Sequence, residues 1–187
     1  MRSLFVILFL VQAPLLCFAE TMEVHFSPNG GCQQVIVDEI DLARVRMDIA
    51  MYFLTSRDIV QALVRAKEHQ VQVRVVFDKS QRIQSYSKAA YLIKRGFEVK
   101  YHTGEGLMHN KFAVIDDHIL ITGSFNWTPT AERNNEENLL IIKDAPIIAK
   151  YRERFEYLWG QAQAGEVKKE DGLRERLCLM FPGLCGD

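Results

Sequence analysis

Residues 109–126 read HNKFAVIDDHILITGSFN, and this stretch predicts a β-hairpin with polar residues at both ends. Lys111–Ile115 and residues 119–122 are two short apolar runs, each of the length and composition of a strand. The turn-prone residues Asp116-Asp117-His118 join them. The hairpin therefore brings the two polar ends of the stretch to the same place.

The polar ends of the hairpin carry chemically active side chains. Alternate residues of a strand face the same way, so His109 and Lys111 can point into one cleft. The turn of residues 123–126 (Gly-Ser-Phe-Asn) follows the second strand and can fold back over that cleft. The sequence therefore predicts a polar site at this edge of the hairpin.

Strands and helices alternate before the hairpin. This β-α-β rhythm predicts an α/β fold, a mainly parallel mixed β-sheet flanked by helices on both faces. The predicted strands are residues 23–26, 47–54, 71–78, 97–101 and, after the hairpin, 139–142; the predicted helices are 32–45, 57–69 (capped by Thr55-Ser56), 85–95 (stopped by Gly96) and 146–159.

The composition is that of an ordinary globular protein. The chain has 187 residues, of which 48% are hydrophobic and 25% are charged, which suits one domain with a sizeable core. The formal net charge of −1 argues against binding of polyphosphates through bulk charge, although it leaves a local basic site open.

The N-terminal residues have the pattern of an export signal. Arg2 precedes an apolar run at residues 4–18, and small residues at 17 and 19 predict cleavage after Ala19. The run is short for a membrane-spanning helix of about 20 residues, and a retained anchor is the alternative. We expect a signal peptide at 1–19, a catalytic domain at 20–163 and a C-terminal tail at 164–187. The mature protein would then be periplasmic, secreted or surface-associated in a bacterium, without stable membrane insertion.

Export would place the remaining cysteines in an oxidising compartment. Cys178 and Cys185 flank a turn-prone Pro-Gly pair and form the disulfide that we expect there. Cys32 would then be either a free thiol or a small apolar residue packed on a helix.

The residue types around the hairpin suit attack on a phosphate. His109 can act as a nucleophile or as a general acid or base near neutral pH. Lys111, Ser124 and Asn126 can donate hydrogen bonds to the non-bridging oxygens of a phosphoryl group. The sequence has no carboxylate cluster for two metals, no Gly-rich phosphate loop and no His/Cys metal spacing. We therefore expect metal-independent chemistry with no cofactor.

The spacing His109-x-Lys111-x4-Asp116-x6-Gly123-Ser124-x-Asn126 resembles the HKD signature of the phospholipase D superfamily. The runs at residues 26–28, 49–53, 57–59 and 135–138 are similar to those of the small single-motif bacterial endonucleases (Nuc-type) of that superfamily. The resemblance covers roughly residues 23–160.

The resemblance implies a mechanism with two histidines. One attacks phosphorus and forms a phosphohistidine, and the other protonates the leaving oxygen and then activates water. Since this chain has one motif, the second His109 would come from a twin subunit in a homodimer. The family likeness also assigns Glu137 to orienting a histidine, with Glu136 as the alternative, and Asp116 to a more structural role within the catalytic set.

The expected function is therefore hydrolysis of nucleic acid, with DNA as the first candidate substrate and RNA also open. A lipid phosphodiesterase is the alternative, and a non-catalytic nucleic-acid-binding protein is a third. The sequence between Thr103 and Met108 shows no apolar rim longer than a few residues, which favours nucleic acid.

Trp127 could stack on a base or pack against the hairpin. Four cations in loops or helix starts could follow a substrate backbone, although each alone is an ordinary surface charge: Arg57, Lys79, Arg82 and Arg133.

Overall fold

A computed structural model describes residues 22–166 of the chain. The strands of this part are β1 (Met22–Ser27), β2 (Arg46–Met51), β3 (Gln72–Phe77), β4 (Glu98–Tyr101), β5 (Lys111–Ile115), β6 (Ile119–Gly123), β7 (Glu137–Ile142) and β8 (Gln163–Ala164). They form one sheet in the order β1-β7-β6-β5-β2-β3-β4-β8.

Helices cover both faces of the sheet. Apolar side chains of α1, α2 and α3 pack into the core on one face, and those of α5 pack on the other. The mixed sheet with helices on both faces is therefore confirmed. The helices are α1 (Cys32–Leu42), α2 (Arg57–Glu68), α3 (Ala89–Lys94), α4 (Pro129–Arg133) and α5 (Ala145–Gln161), with a short 3₁₀ helix at Lys79–Arg82.

The parallel part of the sheet is smaller than the β-α-β rhythm suggests. Strands β2, β3 and β4 run parallel to one another. The other neighbours are antiparallel, because β5, β6 and β7 form a meander beside β2 and because β1 pairs with β7 at the edge. The first predicted β-α-β unit corresponds to β1, α1 and β2. Its two strands are not neighbours, because β7, β6 and β5 lie between them in the sheet.

Three local features differ from the sequence-based expectation. The predicted helix 85–95 is wrong in its first half, because Lys88 donates its backbone N–H to the Leu54 carbonyl and α3 begins only at Ala89. Helix α4 was not expected. Strand β8, which pairs with β4, was also not expected, and the expected domain boundary after residue 163 falls inside it.

The hairpin and the capped helix are confirmed. Asp116 and Asp117 have φ values of 52° and 58° in the β5–β6 turn, which matches the twist of a two-stranded hairpin. The Ser56 side chain accepts a hydrogen bond from the N–H of Ile59 at the start of α2, as its cap position predicted.

Cys32 is fully buried in the core, as the packing alternative predicted, and its thiol is free. Burial raises the pKa of this thiol to about 11, and the negative charge of Glu132 adds to the shift. The predicted signal at 1–19 and the predicted Cys178–Cys185 disulfide lie outside the described residues. Within residues 22–166, no helix is both long and apolar enough to cross a membrane.

Candidate active site

The polar ends of the hairpin strands meet at one edge of the sheet. Lys111 at the start of β5 pairs with Met51 at the end of β2, and Gly123 at the end of β6 pairs with Leu139 of β7. The predicted residues His109, Lys111, Ser124, Asn126 and Glu137 belong to this edge. Asp116 lies at the other end of β5, about 17 Å away at the rise of an extended strand.

His109 and Lys111 form the centre of the site. The imidazole of His109 is exposed just before β5, whereas Lys111 is only 7% exposed beneath it. The Lys111 ammonium lies 3.2 Å from Nδ1 of His109 and donates to the His109 carbonyl oxygen at 2.8 Å. Burial lowers the pKa of Lys111, and the charge of Glu137 opposes part of that shift.

Tyr52 is a site residue to which the sequence analysis gave no role. Its ring centroid lies 4.5 Å from that of His109, and the Lys111 ammonium lies 5.1 Å from the same ring. The Tyr52 N–H also donates to the Asn110 carbonyl at 3.0 Å. The ring therefore supports both His109 and Lys111. The sequence places Tyr52 at the end of a predicted strand, which is a common position for site residues. It does not show that this strand lies beside the hairpin.

The Ser124 hydroxyl links the turn after β6 to Glu137. It donates to Oε2 of Glu137 at 2.5 Å and accepts from the N–H of Asn138 at 3.1 Å. Asn135 donates its side-chain amide to Oε1 of Glu137 at 3.1 Å. The Glu137 carboxylate is thus held by the side chains of Ser124 and Asn135. In the described part of the chain it makes no hydrogen bond with His109.

Gly123 and Asn138 fix the shape of the turn. Gly123 has a φ of 145°, and a Cβ at this position would lie 2.3 Å from the Asn138 carbonyl oxygen. The Asn138 side-chain oxygen accepts the N–H of Ser124 at 2.9 Å. Asn138 therefore positions Ser124 from both sides, a role that the sequence analysis did not assign.

Asn126 offers an unused polar group. Its side-chain oxygen is buried and has no hydrogen-bond partner among the described residues. A buried amide without a partner is costly unless a ligand or water satisfies it. Trp127, the next residue, is 1% exposed and packs into the core, so the packing alternative is confirmed for it and base stacking is wrong.

Asp78 and Lys79 hold the loop that carries His109. Fully buried Asp78 accepts the N–H of Met108, the residue before His109, at 2.8 Å. The Lys79 ammonium donates to the carbonyls of Gly104 and Glu105 at 2.7 and 2.8 Å. Burial opposes ionisation of Asp78, but donors from Ser80 and Met108 outweigh it and lower its pKa. The sequence analysis did not single out Asp78.

Asp116 has a structural place. Its carboxylate accepts the backbone N–H groups of Arg44, Val45 and Arg46 at 2.7 to 2.8 Å and so fixes the start of β2. Burial acts to raise the pKa of Asp116, but these donors outweigh it and lower the pKa. The structure does not bring Asp116 to the site.

Two exposed apolar side chains lie at the site edge. Leu107 is 61% exposed in the loop before His109, and Phe26, next to the residue that pairs with Glu137, is 65% exposed. The surface at the edge of the site is thus more apolar than the sequence of residues 103–108 suggested.

The arrangement can perform nucleophilic chemistry on an anion. An exposed imidazole stands above a buried ammonium, which supplies a nucleophile beside a positive charge, and the Ser124 and Asn126 side chains lie at the same edge. Among residues 22–166, no three His, Cys, Asp or Glu side chains are grouped to hold a metal ion.

Comparison with known proteins identifies relatives. Residues 36–159 match the family described as "Cardiolipin synthase, PLD-like domain". A phospholipase D of Rickettsia bellii is 37% identical over 126 residues, which are 67% of this chain and 63% of that protein. The human mitochondrial cardiolipin hydrolase is 37% identical over 119 residues, which are 64% of this chain and 47% of that protein. The chain thus spans less than two thirds of the length of these curated relatives.

A solved structure matches over nearly its whole length. The phospholipase D family member Nuc from Salmonella typhimurium superposes with a TM-score of 0.74 at 29% identity. The match covers 79% of this chain and 99% of the Nuc chain. The two chains therefore share one fold over nearly all of the solved Nuc chain.

Proposed function

The chain belongs to the phospholipase D superfamily, and from this premise we propose that it is a metal-independent phosphodiesterase that hydrolyses nucleic acid as a non-specific endonuclease. The observation that carries the proposal is the exposed His109 imidazole above the buried Lys111 ammonium, 3.2 Å apart. The pair offers a nucleophile next to a fixed positive charge, which a phosphodiester needs.

The proposed reaction has two steps. A ring nitrogen of His109 attacks phosphorus, a P–N bond forms, and the P–O bond to the leaving nucleoside oxygen breaks as that oxygen takes a proton from a second histidine. That histidine then removes a proton from water, which attacks phosphorus and releases His109. Lys111 and the Asn126 amide N–H₂ donate to the non-bridging oxygens, and Ser124 joins them when its hydroxyl turns away from Glu137.

We assign the second histidine to a twin subunit. The other histidines of the chain are His25, His69, His102 and His118, and no described contact joins any of them to His109 or Lys111. His69 and His118 lie at the end of α2 and in the β5–β6 turn, away from the site edge. A two-fold axis at the site edge would supply a second His109. Glu137, which makes no bond with its own His109, would then be available to an imidazole in the assembled dimer.

The structural likeness to Nuc supports our proposal of nucleic acid as the substrate. The chain matches 99% of Nuc but only 63% and 47% of the relatives named for lipid substrates. The structural match extends over nearly all of the solved Nuc chain, whereas each sequence match extends over part of a curated relative. DNA is the first candidate, and RNA has the same phosphodiester chemistry.

A second candidate function is lipid phosphodiester hydrolysis. The exposed Leu107 and Phe26 at the site edge are the specific observation in its favour, because an apolar rim can contact acyl chains. The names of the two curated relatives point in the same direction.

The deciding experiment uses the full protein in EDTA. Single-stranded DNA, double-stranded DNA, RNA and cardiolipin vesicles are offered separately to the parent and to the His109→Ala variant. We expect polynucleotide cleavage by the parent and none by the variant. Conversion of cardiolipin into phosphatidic acid and phosphatidylglycerol, without polynucleotide cleavage, would replace the proposal by the lipid function.

A mixing experiment tests the shared site. Wild-type protein is equilibrated with increasing amounts of His109→Ala protein under conditions that allow subunit exchange. If each site needs two copies of His109, activity per wild-type chain falls in proportion to the wild-type fraction. A constant activity per wild-type chain would contradict the dimeric site.

We also propose that the chain is exported, which rests on the pattern of residues 1–19. Mass spectrometry of the expressed protein checks it: a mature N-terminus at Glu20 in a periplasmic or secreted fraction is expected. Intact protein confined to the cytoplasm would contradict it.

A further inference from the structure

A second polar pocket lies on the helical side of the site edge, where α2 and α3 begin. It has a volume of about 280 Å³, which is enough space for a phosphate group with part of its sugar. The residues that line it are Arg57, Val60, Gln61, Lys88 and Tyr91.

The pocket carries two cations without a counter-charge. The side chains of Arg57 and Lys88 make no hydrogen bond or ion pair with any described residue, and none of the lining residues is acidic. Asp58, the carboxylate next to Arg57 in sequence, instead accepts a hydrogen bond from the Gln33 amide at 2.7 Å. Two unpaired cations that line one pocket favour an anion there, and a guanidinium suits phosphate oxygens in particular.

One short segment connects the pocket to the catalytic edge. It begins at Tyr52, whose ring lies 4.5 Å from that of His109, and it ends at Arg57. Five residues span at most about 17 Å when extended. The carbonyl of Leu54 in this segment accepts the Lys88 N–H at 3.2 Å, so the same segment positions both cations relative to His109.

We propose that this pocket binds a second phosphodiester of the polynucleotide whose scissile phosphate lies at His109. This inference rests on the proposed nuclease function and adds to it a phosphate subsite formed by Arg57 and Lys88. A polynucleotide has phosphates at regular intervals of a few ångströms, so one strand can occupy both places. A substrate with a single phosphodiester cannot.

The test compares a long and a short substrate. The Arg57→Ala/Lys88→Ala variant is assayed with a single-stranded DNA 20-mer and with bis(p-nitrophenyl) phosphate. We expect kcat/KM for the 20-mer to fall about tenfold through a higher KM, and to fall at least fivefold more than kcat/KM for the small diester. The slope of log KM against log salt for the 20-mer should decrease by about 0.7 for each lost phosphate contact.

A matched control removes the same charge elsewhere. Lys150 and Arg154 are exposed on α5, which covers the opposite face of the sheet. The Lys150→Ala/Arg154→Ala variant should keep the parent KM and salt slope. Equal effects of the two double variants on the 20-mer, or an unchanged KM in the Arg57/Lys88 variant, would overturn the subsite.

Binding separates this proposal from the proposed function. Fluorescence anisotropy with the labelled 20-mer is measured on the His109→Ala background with and without the two pocket substitutions. If the parent enzyme does not cleave the 20-mer, the nuclease function fails, whereas weaker binding after the pocket substitutions still supports the subsite. Equal binding with and without them contradicts the subsite whatever the enzyme cleaves.

Discussion

The Lys111 ammonium lies 3.2 Å from Nδ1 of His109, so the most buried cation of the site directly contacts its exposed imidazole. A protonated ammonium only donates hydrogen bonds, so Nδ1 accepts this one in the tautomer that carries its proton on Nε2. A phosphate oxygen that binds the same ammonium would take over this bond and free Nδ1 for another partner. Substrate binding and the hydrogen bonding of His109 are therefore coupled through Lys111.

The substitution Lys111→Met tests this coupling. Methionine keeps the length and apolar character of the side chain but removes the charge, so we expect kcat/KM to fall by about 10²–10³ for any phosphodiester. The melting temperature should be unchanged or higher, because a largely buried cation is replaced by an apolar group. Kinetics with bis(p-nitrophenyl) phosphate and a thermal melt check both parts, and a loss of less than threefold would exclude Lys111 from catalysis.

Asp78 is the next target, because its carboxylate holds the N–H of Met108 one residue before His109. In Asp78→Asn one acceptor oxygen becomes an N–H₂ donor, so either the Met108 or the Ser80 N–H loses its partner. The loop should then hold His109 less rigidly, and we expect kcat to fall about 10- to 100-fold with a smaller change in KM.

The control for this variant is Asp41→Asn. Asp41 is an exposed partner of Arg65 on the helical face and is distant in sequence from the His109 loop. Its loss should leave kcat and KM unchanged. A rise in KM without a fall in kcat in Asp78→Asn would indicate that Asp78 shapes substrate binding and does not position His109.

The sequence predicted the part of the site that lies within one local stretch. His109, Lys111 and Ser124 come to one edge because a hairpin must bring the ends of residues 109–126 together. Tyr52 and Asp78 reach the same edge only because β2 lies between β5 and β3, and strand order is not encoded in local periodicity. Those two residues could be identified only once the strand order was known.

The errors in the fold have the same origin. Residues 85–88 have helical spacing, yet a bond from the Lys88 N–H to Leu54 replaces the first helical turn. Residues 163–164 are polar and linker-like, yet they complete the sheet beside β4. In both places a contact with a distant segment overrides the local preference of the chain.

Gly123→Ala tests the close approach of β6 and β7. A methyl group would lie 2.3 Å from the Asn138 carbonyl oxygen, and the φ of 145° is unfavourable for any other residue. Because the nearest atom is a backbone oxygen of β7, relief requires a shift of the sheet, and we expect a loss of about 2–4 kcal/mol in the free energy of unfolding. Urea denaturation measures it.

Gly160→Ala is the matched control. Gly160 lies within α5, and nothing surrounds the position of an added methyl group within 4 Å. Alanine should therefore leave stability unchanged or raise it by about 0.5–1 kcal/mol. Equal destabilisation by the two substitutions would show that the Gly123 contact with Asn138 is not tight.

Asp116→Asn separates a structural role from a catalytic one. The carboxylate accepts three backbone N–H groups at the start of β2, so an amide in its place leaves a donor facing a donor. We expect a loss of about 1–3 kcal/mol at pH 7. Activity at a temperature where the variant is folded should stay within twofold of the parent, because Asp116 lies at the far end of β5 from His109. A large loss of kcat in the folded variant would return Asp116 to the catalytic set.

The pH dependence of the same variant follows from the sign of the pKa shift. The folded protein lowers the pKa of Asp116, so its charged form stabilises the fold. That contribution is fully present above the unfolded value of about 3.9 and is lost as pH falls through the lower folded pKa. The difference in unfolding free energy between the parent and Asp116→Asn should therefore be constant from pH 7 to about pH 5 and shrink below pH 4. A difference that persists unchanged to pH 2.5 would mean that the three backbone bonds do not depend on the charge of Asp116.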